Sequence, residues 1–173
     1  EEAPRLAAAY GLSAVGAAAV PALLEVLDHE RDHVRGFAAY ILGEIGAAAG
    51  EEAVEALARM VGDPSEWVRR NVAEALGTIE CHAAAAVPAL IDLLEDEDGQ
   101  VRFNTPYALA RYGVAAAPAV AALSRVLDDE NRYVSSHTMA ALQRIGTPEA
   151  EAVMLDFLST ARWCPLTTKE SMY

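Results

Sequence analysis

The residues whose types and spacing come nearest to chemistry are His29, Glu30 and His33, in the order His-Glu-Arg-Asp-His. On one helix that spacing sets two imidazoles a turn apart for a zinc ion, with the glutamate as general base. The aligned positions elsewhere in the chain read GDPSEW, EDEDGQ and DDENRY, which is turn chemistry. No following histidine supplies a third ligand. The segment is therefore expected to be a solvated turn and not a zinc protease site. Cys81 and His82 are adjacent, but one Cys and one His do not make a metal site without further ligands. Cys164 precedes Pro165. Both thiols read as buried or inert, in a reducing compartment. No nucleophile–base pair has supporting spacing and there is no phosphate loop. The expectation is no catalytic residue, no metal and no cofactor.

A second constellation lies in columns at spacing i, i+4, i+7 and i+11, one face of a helix. The first column reads His33, Trp67, Gln100 and Tyr133, and the second Ala7, Phe37, Asn71, Asn104 and His137. The third reads Tyr10, Tyr40, Glu74, Tyr107 and Ala140, and the fourth Ala14, Glu44, Thr78, Arg111 and Arg144. Most of the aromatics stand here among Asn, His and Arg, the types that contact surfaces favour. The residues expected to make contacts are Tyr40, Trp67, Asn71, Glu74, Asn104, Tyr107, Arg111, Tyr133, His137 and Arg144. The alternative is that the rings only fill gaps between helices.

The columns follow from internal repetition. Segments of one kind begin at Arg5, Arg35, Arg69, Arg102 and Ser135, spaced by 30, 34, 33 and 33 residues. Between them lie VPALLEVLD (20–28), AVEALARMVGD (53–63), VPALIDLLED (87–96), VAALSRVLDD (120–129) and EAVMLDFLS (151–159). We call the second kind helix A and the first helix B. Apolar residues at 34, 38, 41, 42 and 45 have helical spacing. Acidic turns join A to B, suiting the positive end of helix B. Gly46, Gly113 and Gly146 are placed to end B helices in the left-handed region. Pro21, Pro88, Pro118 and Pro148 are expected to start A helices. The spacing predicts helices over 3–15, 18–28, 32–45, 50–62, 65–79, 84–95, 99–112, 116–128, 131–145 and 149–160. Pro106 falls inside a B helix, where it removes a hydrogen bond to Arg102 and favours a bend. The Arg5, Arg35, Arg69 and Arg102 column, facing the acidic ends of A helices, reads as a structural ladder.

Composition limits the partners. The chain has 173 residues, 26 acidic and 13 basic, a net charge of −13 and a pI near 4.6. It is 53% apolar with 6% aromatics, so it is not intrinsically disordered. The charge argues against nucleic acid and anionic membranes. The uncharged stretch from Leu6 to Leu24 is rich in Ala and Gly and reads as helix–turn–helix, not as a membrane span. Glu1-Glu2 is the opposite of a basic leader, and the expected location is cytoplasmic. With no initial Met, the chain is expected to be a fragment, a processed product or a truncated form. The array opens on a B helix, leaving an apolar edge around Leu6, Leu12 and Val15 for more chain or another copy to cover.

The pattern VPALIDLLEDEDGQVRFNTPYALARYG (87–113) and its siblings resemble the HEAT repeat family, in its short bacterial phycobilisome-lyase-type form. The resemblance covers about residues 6–160. It implies an all-α, right-handed α-solenoid of about five two-helix repeats, with B helices on the concave side. On that scheme the array runs over 1–162, with a half repeat at 1–16, full repeats at 17–46, 47–80, 81–113 and 114–146, and a last helix at 147–162. Residues 163–173, with Trp163 and Leu166, form a capping tail. The family includes scaffolds, bilin lyase subunits, di-iron hydroxylases and DNA glycosylases. Where the hydroxylases carry His-Glu pairs, this chain has Gly36-Phe37, Arg70-Asn71, Phe103-Asn104 and Ser136-His137, so that chemistry should be absent. The glycosylases need a basic face. What the resemblance leaves is a non-catalytic scaffold or adaptor that binds another protein or peptide along the concave face. The alternatives are a bilin-lyase-like accessory subunit, with a tetrapyrrole or its acceptor protein as ligand, and a docking domain of a larger enzyme.

Overall fold

The computed structural model describes Gly11 and residues 14–160. Arg5, Leu6, Ala7, Tyr10, Leu12 and the 163–173 tail, with Trp163, Cys164 and Leu166, lie outside the described residues. Helices fill almost all of the rest. The A helices are α1 (Val20–Glu25), α3 (Gly50–Ala58), α5 (Ala83–Leu93), α7 (Val120–Arg125) and α9 (Pro148–Thr160). The B helices are α2 (Asp32–Ile45), α4 (Glu66–Ile79), α6 (Gly99–Arg111) and α8 (Arg132–Ile145). Gly16–Ala19, Gly46–Ala49 and Gly113–Ala119 are 3-10 turns that lead into α1, α3 and α7. The result is an all-α solenoid in which α2, α4, α6 and α8 pack side by side.

Two leucine columns make its core. Leu42, Leu76, Leu109 and Leu142 on the B helices have no exposed surface, nor have Leu57, Leu90 and Leu123 on the A helices. No two-helix unit buries both faces alone, so each repeat depends on its neighbours for stability. Small residues set the spacing. A Cβ on Gly77 of α4 would lie 2.8 Å from the Ala108 Cβ of α6, so glycine is what lets these helices touch.

The arginine column is a ladder. Arg35 reaches Asp63 with Nε to Oδ2 at 2.7 Å, and Arg102 reaches Asp129 with the same pair of atoms at 2.7 Å. Each Nη1 also donates to the turn before its own helix, at 2.8 Å to the His29 carbonyl and 2.9 Å to the Asp96 carbonyl. Every A–B turn is thereby pinned to the next one. Ser135, where the column ends, makes only a 3.5 Å contact to the Asp129 carbonyl.

Pro21 and Pro148 stand at helix starts as expected. Pro88 and Pro118 do not. The strong helix preference of the run Ala83–Ala86 starts α5 five residues before Pro88, and Pro118 lies in the 3-10 turn Gly113–Ala119. Pro106 is buried within α6, which runs on to Arg111. Gly46, Gly113 and Gly146 have φ of +63°, +52° and +62°. At the equivalent place after α4, Glu80 takes φ +51° without the freedom of glycine.

Candidate functional site

The B-helix face carries a hollow of about 370 Å³ across α4, α6 and α8. Its floor is Gly77 and Ala108, where the two helices meet without intervening side chains. Phe103, Tyr107 and His137 wall one side, and Glu74 and Thr78 the other, with Asn104 and Arg111 completing the lining. Helical period explains the grouping, because Phe103, Tyr107 and Arg111 are four residues apart on α6 and share a face.

The aromatic wall is built by contact. The His137 ring lies 4.4 Å from Phe103 and 5.9 Å from Tyr107, centroid to centroid. His137 Nδ1 is 3.2 Å from the Phe103 carbonyl oxygen, which can only accept, so Nδ1 serves as the donor. Tyr133 stands edge-on to Phe103 at 6.4 Å, with the Arg132 guanidinium 5.2 Å from its ring centre. Tyr107 and Tyr133 are both 57% exposed, high for aromatic residues that other rings already hold in place.

The charges are disposed unevenly. Arg111 donates from Nε to Glu80 at 2.7 Å. Burial works against its charge, but the Glu80 carboxylate and the Tyr107 hydroxyl outweigh that and raise its pKa. Glu74 is exposed and has no ion-pair partner among the described residues. A smaller hollow adjoins the first through Glu74 and Thr78, and is lined by Tyr40, Gly43, Glu44, Asn71 and Ala75.

The structure thus gathers Glu74, Asn104, Tyr107, Arg111 and His137 around the main hollow, and Tyr40 and Asn71 along its extension. Trp67 packs instead over Gly36, whose missing Cβ would fall 2.0 Å from the indole, and meets Phe37 edge-on at 5.2 Å. Asn71 donates to the Trp67 carbonyl at 2.7 Å. Tyr133 and Arg144 lie outside the lining of both hollows. Phe103, Gly77 and Ala108 also line the hollow but are not in the contact set expected from sequence. The spacing of Phe103 from Tyr107 carried a signal, whereas the floor depends on a contact between repeats.

The other chemistry-bearing segments are placed as follows. His29, Glu30 and Arg31 lie in the turn before α2, and the His29 Nδ1 accepts from the Arg31 amide at 3.1 Å. Cys81 is half-buried, and burial, with the Glu51 carboxylate adding to it, pushes its thiol pKa up, away from the reactive thiolate. His82 sits between Glu51 and Glu55 at 3.4 and 3.5 Å. Among the described residues no group of three or more His, Cys, Asp and Glu is arranged to hold a metal ion, and no helix is long and apolar enough to cross a membrane.

A family pattern for HEAT repeats matches residues 1–77, 20–110, 60–123 and 87–164. The chain belongs to the HEAT repeat family. No curated protein sequence matches it. Solved repeat structures share the HEAT chain's fold. A designed armadillo repeat protein in complex with the peptide (KR)4 superposes with a TM-score of 0.70 at 18% identity, over 96% of this chain and 86% of that one. The complex of CpcE and CpcF of phycocyanin lyase from Nostoc sp. PCC7120 gives 0.60 at 19% identity, over 84% and 91%. An engineered protein gives 0.66 at 24% identity, over 79% and 67%.

Proposed function

We propose that this HEAT chain is a non-catalytic scaffold or adaptor module that binds a segment of another protein along its B-helix face. One observation carries the reading. The hollow between α4 and α6 joins a preformed aromatic wall to an exposed Tyr107 and an unpaired Glu74. Its volume suits one large side chain and its neighbours. Aromatic rings that stay exposed in a fixed arrangement give contact area at little entropic cost. The binding set is Tyr40, Asn71, Glu74, Asn104, Tyr107, Arg111 and His137, with Trp67, Tyr133 and Arg144 on the flanks. The similarly folded designed armadillo repeat protein, in complex with the peptide (KR)4, supports the reading.

The test uses the whole chain as bait for a displayed library of random peptides. Selected peptides should lose at least about tenfold in affinity to the Tyr107→Ala/His137→Ala variant, whose helical circular dichroism should match the parent. Peptides that bind that variant as tightly as the parent would overturn the reading. A second reading, an accessory subunit like those of the lyase complex, draws on the same aromatic wall. It predicts a shift in the absorbance of an added linear tetrapyrrole, and an unchanged spectrum rules it out.

A further inference from the structure

The binding face has a charge polarity that says more about its occupant. Along the B helices the position seven residues after the hollow's Asn/His column reads Glu44 on α2, Thr78 on α4, Arg111 on α6 and Arg144 on α8. Glu44 and Glu74 line the α2–α4 end, both exposed and neither ion-paired among the described residues. In the middle, Arg111 and Glu80 neutralise one another at 2.7 Å. At the α8 end, Arg144 is exposed, two turns beyond His137 on the same face, and no carboxylate pairs with it among the described residues. The face is therefore negative along α2 and the α4 side of the hollow, aromatic across α6, and positive at α8.

We infer that the occupant is an extended protein segment with a large apolar side chain seated between Gly77, Ala108 and the Phe103–Tyr107–His137 wall, flanked by Lys or Arg toward Glu44 and Glu74 and by Asp or Glu toward Arg144. This rests on the peptide-binding reading above and adds its polarity. The dimensions agree. Three interhelix steps of about 8–10 Å separate α2 from α8, and an extended chain rises about 3.3 Å per residue, so about eight or nine residues cross the face. A segment with basic groups at both ends would meet Arg144 with like charge, and one with acidic groups at both ends would meet the two glutamates. Both mismatches disfavour binding, so the polarity fixes direction as well as composition.

The same display selection tests it, run in parallel on the parent and on the Glu44→Lys/Glu74→Lys variant. Both substitutions are on exposed helix positions where lysine is well tolerated. Parent-selected peptides should carry a large apolar residue with a basic residue on one side and an acidic residue on the other. They should bind the double-lysine variant about tenfold more weakly at low salt, and selections on that variant should exchange the basic residue for an acidic one. Peptides that need Tyr107 and His137 but are indifferent to the glutamate reversal would overturn the polarity and leave the groove reading standing. Peptides indifferent to Tyr107 and His137, or no binder to the parent at all, would overturn both.

Discussion

Arg69 holds Asp96 in a two-pronged grip, with Nε to Oδ2 at 2.6 Å and Nη2 to Oδ1 at 2.9 Å, 27 residues further along the chain. Both side chains are nearly buried, at 8% and 7% exposure, and Arg69 Nη1 also donates to the Asp63 carbonyl at 2.8 Å. One guanidinium thus ties two consecutive turns together, the Asp63 turn ahead of its own helix and the Asp96 turn of the next repeat. Removing it leaves a nearly buried carboxylate without its ion-pair partner. Arg69→Ala should lose about 3–5 kcal/mol of stability by urea denaturation. Arg69→Lys keeps the charge but not the fork, and should fall between the two. A loss below about 1 kcal/mol for the alanine variant would mean the ladder is not what fixes the repeats.

The acid side of the stability profile follows from the same contacts. Asp98 accepts from Arg70 Nε at 2.8 Å and from the Gln100 and Val101 amides at 3.0 Å each, and is thereby both ion-paired and the N-cap of α6. The Arg70 guanidinium is the main reason its carboxyl is lowered to about 2. Asp63 and Asp129 are lowered too: burial opposes their charge, but Arg35 and Arg102 outweigh it. A depressed folded pKa adds stability above the unfolded value near 4, which is lost as pH falls toward the folded value. The denaturation midpoint should accordingly drop between about pH 4 and pH 2. Asp98→Asn, which keeps a good N-cap, should cost about 1–2 kcal/mol at neutral pH and flatten that slope. An unchanged slope in the variant would contradict the assignment.

Gly77 sets how closely α4 and α6 approach. In an open helix, alanine there would gain about 1 kcal/mol. Here its Cβ would fall 2.8 Å from the Ala108 Cβ and 2.9 Å from the Ala108 Cα, and backbone cannot move aside cheaply. Gly77→Ala should therefore destabilise by about 1–3 kcal/mol, measured as a lowered thermal midpoint. It should also weaken any peptide selected on the parent, because the residue is the floor of the hollow. A stabilised variant would show that the helices stand further apart.

The B helices were legible because the sequence marks both of their ends. Acidic turns precede all four, and Gly46, Gly113 or Gly146 follows three of them, with Glu80 in that place after α4, and the spans predicted over 32–45, 65–79, 99–112 and 131–145 differ from the observed ones by no more than a residue at either end. The A helices carry weaker signals. Three of them are led by alanine-rich runs after Gly16, Gly46 and Gly113 that have no capping side chain and form 3-10 turns. The aromatic columns were legible as periodicity, but not which rings would remain exposed. Trp67 and Tyr133 share a column in the sequence. Gly36, on the preceding B helix, takes up the Trp67 indole, whereas the equivalent position before Tyr133 is Phe103, and Tyr133 stands edge-on to it and stays 57% exposed. That difference lies in a contact between repeats about thirty residues apart, which a local pattern does not contain.

Tyr112 offers the cleanest test of how the last turn of α6 is fastened. Its hydroxyl donates to the Leu76 carbonyl of α4 at 2.6 Å, across 36 residues. Burial, reinforced by the neighbouring Cys81 and Glu80, raises its pKa, so it remains a donor throughout the ordinary pH range. Tyr112→Phe keeps the ring and removes only this bond. The Leu76 carbonyl lies in the last turn of α4, where helix carbonyls lack an intrahelical partner, so removing the hydroxyl orphans a half-buried acceptor. The variant should lose about 1–3 kcal/mol by urea denaturation, with no change in the slope of the transition. Tyr112 lines neither hollow, so peptides selected on the parent should bind the variant unchanged. A comparable loss of peptide affinity would instead place Tyr112 in the positioning of Arg111, its neighbour at the rim.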